Sequence, residues 1–223
     1  MGVASQYGDV TVRIGDDGVV EVEIHRPPNN FFDADLIGAL SDAYEAIDLD
    51  ERCRAIVLCA EGKHFCAGAN FTAPADRATA GTTGRNLYSE AARLIEAKTP
   101  VVAAVHGAAI GGGLGLACSA DFRVGSSETR MAANFAQLGF HHGFGLTIML
   151  PPLVGQQRAM ELLLTGKRIA GEEAQRIGLL DRFVEPSEVR AEAHRLAAEI
   201  ASSAPLAVKS IRATMRAGLG DRY

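Results

Sequence analysis

Residues 100–121 read PVVAAVHGAAIGGGLGLACSAD, and this stretch decides the fold. Val101 to Val105 is rich in β-branched residues, which is typical of a short buried strand. Gly111 to Gly113 then leads into a small, apolar helix. The first N–H groups of a helix have no partner inside it, and glycine lets a ligand approach the backbone closely. The stretch therefore predicts a turn that presents backbone N–H groups to a bound oxygen atom.

A second turn of similar composition follows another predicted strand. Residues 55–60 (AIVLCA) are typical of a buried strand, and residues 61–70 (EGKHFCAGAN) are expected to form the turn after it. Two strand-end turns with free N–H groups are what a split oxyanion hole requires. A dinucleotide-binding GxGxxG pattern fails because Leu116 stands where its third glycine belongs, and neither a P-loop nor a GxSxG motif is present. The plainer alternative is that the glycines only permit close packing of helix and strand.

The composition is that of a globular protein with the size of one large domain. The 223 residues are 48% hydrophobic and 22% charged, with a net charge of −5 and no basic cluster, so no nucleic-acid partner is expected. No apolar run approaches the roughly 20 residues of a membrane helix, and the N-terminus lacks a secretory signal. The cysteines have no CxxC spacing, which indicates reduced thiols, no metal site and a cytoplasmic location. They are Cys53, Cys59, Cys66 and Cys118.

Hydrophobic periodicity along the rest of the chain predicts strands that alternate with helices, which indicates an α/β fold. Strands are expected at residues 10–14, 19–25, 55–60, 101–105 and 122–125, and helices at residues 33–48, 87–97, 156–164, 171–177, 188–201 and 206–217. Residues 71–84 are expected to form a surface loop and residues 126–143 an irregular segment. No internal repeat or low-complexity linker is visible.

Several motifs in this order resemble the crotonase (enoyl-CoA hydratase/isomerase) family. They are HFCAGAN, AVHGAAIGGGLGLACSAD, the segment from Ile24 to Asn30, and LLLTGKRIAGEEAQRIGLLDRFV. The resemblance runs from about Val10 to the C-terminus. It implies a crotonase-like superhelix of ββα units, with two roughly perpendicular sheets and a helical C-terminal part. Residues 1–185 would form the core with the CoA and acyl site, and residues 186–223 the C-terminal helices and oligomer contacts.

The resemblance also implies a coenzyme A thioester as substrate, no prosthetic group, and a homotrimer or a dimer of trimers. The thioester oxygen would accept hydrogen bonds from the backbone N–H groups of Ala69 and Gly112. Arg26 is suggested near the CoA phosphates. The residues expected along the CoA are Ala67, Ala69, Asn70, Phe71 and Thr72, together with Gly112 at the thioester.

The chain departs from the family at its proton-transfer positions. The two glutamates of the family hydratases fall on Gly115 and Phe135, and an aspartate of some other members falls on Gly143. None of these residues can transfer a proton. His141 and His142 lie in the loop that approaches the acyl pocket in the family, and a histidine can act as a general base near neutral pH. The alternative is that both histidines pack within a loop at a subunit contact.

Asp121 and Cys66 lie beside the turns, and we expect both to have structural rather than catalytic roles. Asp121 follows the predicted helix and is expected to cap rather than to act as an acid or base. Cys66 has no evident partner base, so we expect a small buried packing residue.

Three functions remain open from the sequence. The first is an enzyme of the enoyl-CoA hydratase or isomerase type that forms a thioester enolate. The second is a noncatalytic acyl-CoA-binding protein, and the third is a histidine-dependent acyl-CoA hydrolase. The family usually continues with helical sequence beyond the position of Tyr223, so we expect either a short natural tail or a trimmed sequence.

Overall fold

The computed structural model describes residues 2–70, 72 and 79–222. The strands are β1 (Gln6–Tyr7), β2 (Val10–Ile14), β3 (Val19–Ile24), β4 (Ala55–Ala60), β5 (Val101–Ala104), β6 (Ala108–Ile110), β7 (Phe122–Ser126), β8 (Arg130–Ala132), β9 (Ile169–Ala170) and β10 (Arg182–Val184). The helices are α1 (Ala34–Asp48), α2 (Leu87–Glu96), α3 (Gly112–Ser119), α4 (Leu146–Val154), α5 (Gln156–Thr165), α6 (Gly171–Arg176), α7 (Val189–Ala201), α8 (Pro205–Met215) and α9 (Leu219–Arg222). Residues 136–138 and 186–188 form short 3-10 helices.

The strands form two sheets. The larger has seven strands in the order β1-β2-β3-β4-β5-β7-β10, and the smaller has three strands in the order β6-β8-β9. In the large sheet β1, β2 and β3 are antiparallel neighbours, and every pairing from β3 to β10 is parallel. Parallel strands end at the same edge of a sheet, so the loops that follow β3, β4 and β5 lie close together. This arrangement confirms the predicted α/β class.

Strand β4 shows why the large sheet is buried on both faces. All six of its residues are buried, and side chains alternate between the two faces of a strand. Ile56 and Leu58 belong to the apolar core that contains α1, whereas Ala55 and Val57 belong to the cluster that contains α7. Within the described ranges, no helix is both long and apolar enough to cross a membrane.

Most of the predicted elements are present. The resemblance implied a second sheet, but the sequence pattern did not predict the strands that form it. Residues 126–143, predicted to be irregular, contain β8 and a 3-10 helix, and α4 was not predicted. The predicted loop at residues 71–84 lies partly outside the described residues. The boundary proposed at residue 185, between the core and the C-terminal helices, follows β10. Helix α7 lies beyond this boundary, yet its apolar residues belong to a core cluster with β4 and β5.

Asp121 does not cap a helix, which corrects the expectation from the sequence. Its carboxylate accepts a hydrogen bond of 2.8 Å from the N–H of Val101, at the start of β5. It also pairs with Arg212 of α8 at 2.7 Å and with Arg216, the residue after α8, at 2.8 Å. Arg212 in turn donates to the carbonyl of Ala97. One carboxylate therefore joins the C-terminal end of α8 to the start of β5.

We predict that Asp121→Asn lowers the free energy of unfolding by about 3 kcal/mol, because two largely buried guanidinium groups lose their counter-charge. Urea denaturation measures this change. Glu161→Gln is the matched control, because Glu161 pairs with Lys167 where both side chains are exposed, and its loss costs about 1 kcal/mol or less. An equal effect of the two substitutions would contradict the structural role of Asp121.

Candidate active site

The two glycine-containing turns are held side by side by backbone hydrogen bonds. The N–H of Phe65 donates to the carbonyl of His106 at 2.9 Å, and the N–H of Cys66 donates to that of Ala108 at 3.0 Å. The N–H of Ile110 donates to the carbonyl of Cys66 at 3.0 Å. The bonds of Cys66 form a parallel bridge to Ala109 of β6, and together these bonds hold the two turns close to each other.

The loop after β3 holds the first turn from the other side. Asn30 is fully buried with a φ of 49°, and its side-chain amide donates to the carbonyls of Glu61 and His64, each at 2.6 Å. The N–H of Ala67 donates to the carbonyl of Asn29 at 2.9 Å. The sequence analysis did not assign this positioning role to Asn30, although asparagine is one of the few residues that tolerate a positive φ.

The N–H groups of Ala69 and Gly112 have no hydrogen-bond partner within the described part of the chain. Gly112 is buried, and orphaned backbone donors in a protein interior are rare. Each of these residues follows a glycine with positive φ, which is 83° at Gly68 and 58° at Gly111. Ala69 and Gly112 line the same cavity. Two backbone donors without described partners therefore belong to residues that line one cavity.

This cavity has a volume of about 260 Å³ and a mostly apolar wall. Its described lining residues include no carboxylate and no lysine or arginine, and His141 contributes an imidazole. The lining residues are Phe32, Ala67, Gly68, Ala69, Thr79, Leu87, Tyr88, Ile110, Gly111, Gly112, Asn134, Phe135, Leu138, Phe140, His141, Gly143 and Phe144. An apolar cavity with a few convergent polar groups is the usual form of a small-molecule site.

Residues 15–222 match the family model described as "Enoyl-CoA hydratase/isomerase". The chain belongs to this family. It is 36% identical over 208 residues to the short-chain-enoyl-CoA hydratase of Clostridium acetobutylicum, covering 90% of this chain and 78% of the relative. It is 35% identical over 204 residues to the crotonyl-CoA hydratase of Syntrophomonas wolfei, covering 88% of this chain and 77% of the relative.

Solved structures of the family agree with this assignment. An enoyl-CoA hydratase subunit I from Geobacillus kaustophilus matches with a TM-score of 0.85 and 33% sequence identity. The match covers 96% of this chain and 84% of that chain. The resemblance that the sequence motifs indicated is thereby confirmed, together with the crotonase-like fold.

Phe144 occupies the space beside Gly115, the first position that the resemblance assigns to a glutamate. A Cβ atom at Gly115 would lie 2.6 Å from the carbonyl oxygen of Phe144 and 2.7 Å from its Cβ. A Cβ atom at Gly112 would overlap the ring of Phe32. Gly112 and Gly115 are three residues apart on α3 and so share one face of the helix. The two rings lie against this face, with centroids 5.2 Å apart and planes at 49°.

The other two positions that the resemblance assigns to carboxylates also lie at the cavity. Phe135 is a half-buried lining residue. Gly143 lies beside Tyr88, since a Cβ atom there would be 2.9 Å from the Tyr88 hydroxyl oxygen. Apolar rings and a phenol therefore stand where the family's carboxylate chemistry would be expected.

The two candidate histidines differ in their position relative to the cavity. His141 is an exposed lining residue, whereas His142 is half-buried and is not among the residues that line the cavity. Nδ1 of His141 lies 2.7 Å from the carbonyl oxygen of His142, so Nδ1 carries the proton and Nε2 of neutral His141 keeps its lone pair. Nε2 of His142 is 2.7 Å from the Thr147 hydroxyl. Burial, together with the charge of His141, lowers the pKa of His142.

The residues expected to contact CoA remain predictions. The guanidinium of Arg26 is hydrogen-bonded to Asp9 at 2.7 Å and paired with Asp33 at 2.9 Å, so these carboxylates already compensate its charge. The Asn70 side chain accepts hydrogen bonds of 3.1 and 2.6 Å from the N–H and hydroxyl of Thr72. Phe71 lies outside the described residues.

Cys66 lies beneath the first turn, as expected for a packing residue. It is fully buried, and burial raises the pKa of its thiol to about 12. Its thiolate form, which is the nucleophilic one, is therefore negligible at neutral pH.

A group of potential metal ligands lies on strands β3 and β4. Ligand atoms of Glu21, Glu23 and Cys59 lie within 4.8 Å of one another. Arg190 pairs with both carboxylates at 2.8 Å, and its hydrogen bond lowers the pKa of Glu23. Burial raises the pKa of the Cys59 thiol to about 12. These carboxylates already have a cationic partner, so the group does not indicate a metal site.

We predict that Gly115→Ala lowers the free energy of unfolding by about 1–3 kcal/mol, because the added methyl group overpacks the contact between α3 and Phe144. The background variant Phe144→Gly should reduce this cost, since it removes two of the closest atoms and suits the φ of 53° at that position. A double-mutant cycle by urea denaturation measures the coupling. An equal cost of Gly115→Ala in both backgrounds would show that the side chain of Phe144 is not the obstacle.

Proposed function

We propose that this chain binds an acyl-CoA thioester, with the thioester oxygen accepting hydrogen bonds from the N–H groups of Ala69 and Gly112. The observation that carries the proposal is that these two donors line one cavity and lack partners within the described chain. Donors that are already in place stabilise the negative charge of an enolate, since no reorganisation is needed as that charge develops. The names of the hydratase relatives support the same class of substrate.

We further propose that His141 is the general base. In the proposed step the lone pair on its Nε2 takes a proton from the α-carbon, and the electron pair of that C–H bond moves onto the thioester oxygen. The resulting enolate is held by the two backbone donors. Protonation at another carbon, or departure of a β-substituent, completes an isomerase- or lyase-type reaction. The same imidazole can instead activate water, which gives the hydrolase alternative.

A noncatalytic acyl-CoA-binding protein is the second candidate. The described cavity lining contains no carboxylate, and this observation favours binding without turnover. The two candidate functions make different demands on His141, because only the enzyme needs it as a base. A cytoplasmic location and a homotrimer or dimer of trimers remain predictions of the resemblance and the composition.

We predict that replacing Ala69 by lactic acid lowers the rate of acyl-CoA turnover by about 100- to 1000-fold, because the backbone ester removes one oxyanion donor. The change keeps the methyl group in place. Loss of enoyl-thioester absorbance measures turnover, and calorimetry measures binding. Proline at position 112 is unsuitable for this test because its side chain would overlap Phe32.

Lactic acid at Ala204 is the matched control for the backbone change. Ala204 is exposed, and its N–H has no partner in the described chain. This variant should retain wild-type behaviour. If the ester at residue 69 changes neither turnover nor thioester affinity, the oxyanion assignment is wrong.

We predict that His141→Gln lowers turnover by about 100- to 10,000-fold while thioester affinity changes little, because the variant loses the base but keeps a polar side chain. The assay follows crotonyl-CoA and longer enoyl-CoA thioesters. His194→Gln is the control, since His194 lies on α7 and does not line the cavity. Unchanged turnover in His141→Gln excludes His141 as the base. Tight binding by the wild type without turnover of any thioester supports the noncatalytic candidate.

A further inference from the structure

The cavity wall is unusually aromatic. Of the nine phenylalanines in the sequence, four line this cavity, and Tyr88 adds a fifth ring. The phenylalanines are Phe32, Phe135, Phe140 and Phe144. No methionine is among the described lining residues. Flexible side chains such as methionine adapt to ligands of varied shape, whereas aromatic rings present rigid surfaces.

The two most buried rings of the wall, Phe32 and Phe144, are packed against α3. They are 4% and 3% exposed, and they lie against the glycine face of α3 at residues 112 and 115. Their ring centroids are 5.2 Å apart, with 49° between the ring planes. Aromatic groups pair favourably in tilted or offset geometry, beyond the gain from burial alone.

The outer rings leave apolar surface at the mouth. Phe140 is 47% exposed and Tyr88 is 58% exposed. Exposed apolar groups gathered around a cavity mark a surface that a ligand covers. The cavity volume of about 260 Å³ is slightly below the ~300–1,000 Å³ typical of ligand pockets, so it suits an acyl group with the rest of CoA outside.

We infer that the acyl group of the natural thioester carries an aromatic ring, which packs against Phe32, Phe135 and Phe144 while its carbonyl lies at Ala69 and Gly112. This inference rests on the proposed function and names its substrate class. Phe140 and Tyr88 cover the outer side of the bound ring. A straight alkyl chain gains the same burial but none of the ring–ring contacts.

The test compares three CoA thioesters with the same number of acyl carbons: 3-phenylpropanoyl-CoA, 3-cyclohexylpropanoyl-CoA and nonanoyl-CoA. None of the three has a double bond between the α- and β-carbons, so hydration does not disturb calorimetry. The phenyl compound should bind about tenfold more tightly than either of the others, because ring–ring contacts add to burial. Equal affinities, or tighter binding of nonanoyl-CoA, overturn the aromatic assignment and leave the proposed function standing. Failure to bind any thioester overturns both.

Single substitutions test which rings of the cavity cause the preference for the phenyl compound. Phe140→Leu and Phe135→Leu keep an apolar side chain but remove a ring, and each should reduce the phenyl preference several-fold. Phe140 is well exposed, so its substitution tests the inference even if Phe135→Leu does not fold. Phe122→Leu is the control, because Phe122 is 37% exposed and does not line this cavity. A preference that survives loss of both Phe135 and Phe140 contradicts the inference.

Discussion

Within the described residues, two backbone N–H groups beside one cavity have no hydrogen-bond partner, and the hydrogen bonds around them determine how the two turns are placed. Hydrogen bonds between residues 65–66 and residues 106–110 bring the two turns together, yet they end before Ala69 and Gly112 are satisfied. Left-handed glycines at positions 68 and 111 turn the chain away from further pairing. An unpaired buried donor costs free energy, so the packed sheet and the amide of Asn30 must stabilise an arrangement that the turns would not adopt alone.

The helix that begins at Gly112 serves two purposes at once. Its first turn leaves N–H groups free because no preceding helical carbonyl exists to accept them. Its glycines at 112 and 115 also let aromatic rings approach the helix backbone, which brings the apolar wall of the cavity up to the proposed oxyanion site. A helix with larger side chains at these positions would hold the wall farther away. The donors and the apolar environment that strengthens them thus arise from one sequence feature.

Much of the large sheet could be predicted from the sequence, because its strands are continuous apolar runs such as AIVLCA at residues 55–60. The small sheet could not, because strands of two or three residues such as β8 and β9 carry no measurable alternation. Helix α4 was missed because Pro151 and Pro152, usual helix breakers, lie inside it. At the site, the glycine turns were visible as local motifs. Other contacts join segments that are distant in the sequence, so no local pattern predicts them. These are the ion pairs of Asp121 and the contact between Gly115 and Phe144.

The contact between Gly115 and Phe144 also constrains how this chain can change over generations. Any side chain at position 115 meets the backbone oxygen of Phe144 as well as its ring, so no single substitution at 115 can place a carboxylate there without displacing that loop. A new acid at 115 therefore needs a change in the backbone of the loop at residue 144 as well as the substitution itself. Acquiring a carboxylate here depends on a segment that lies elsewhere in the sequence, not on position 115 alone.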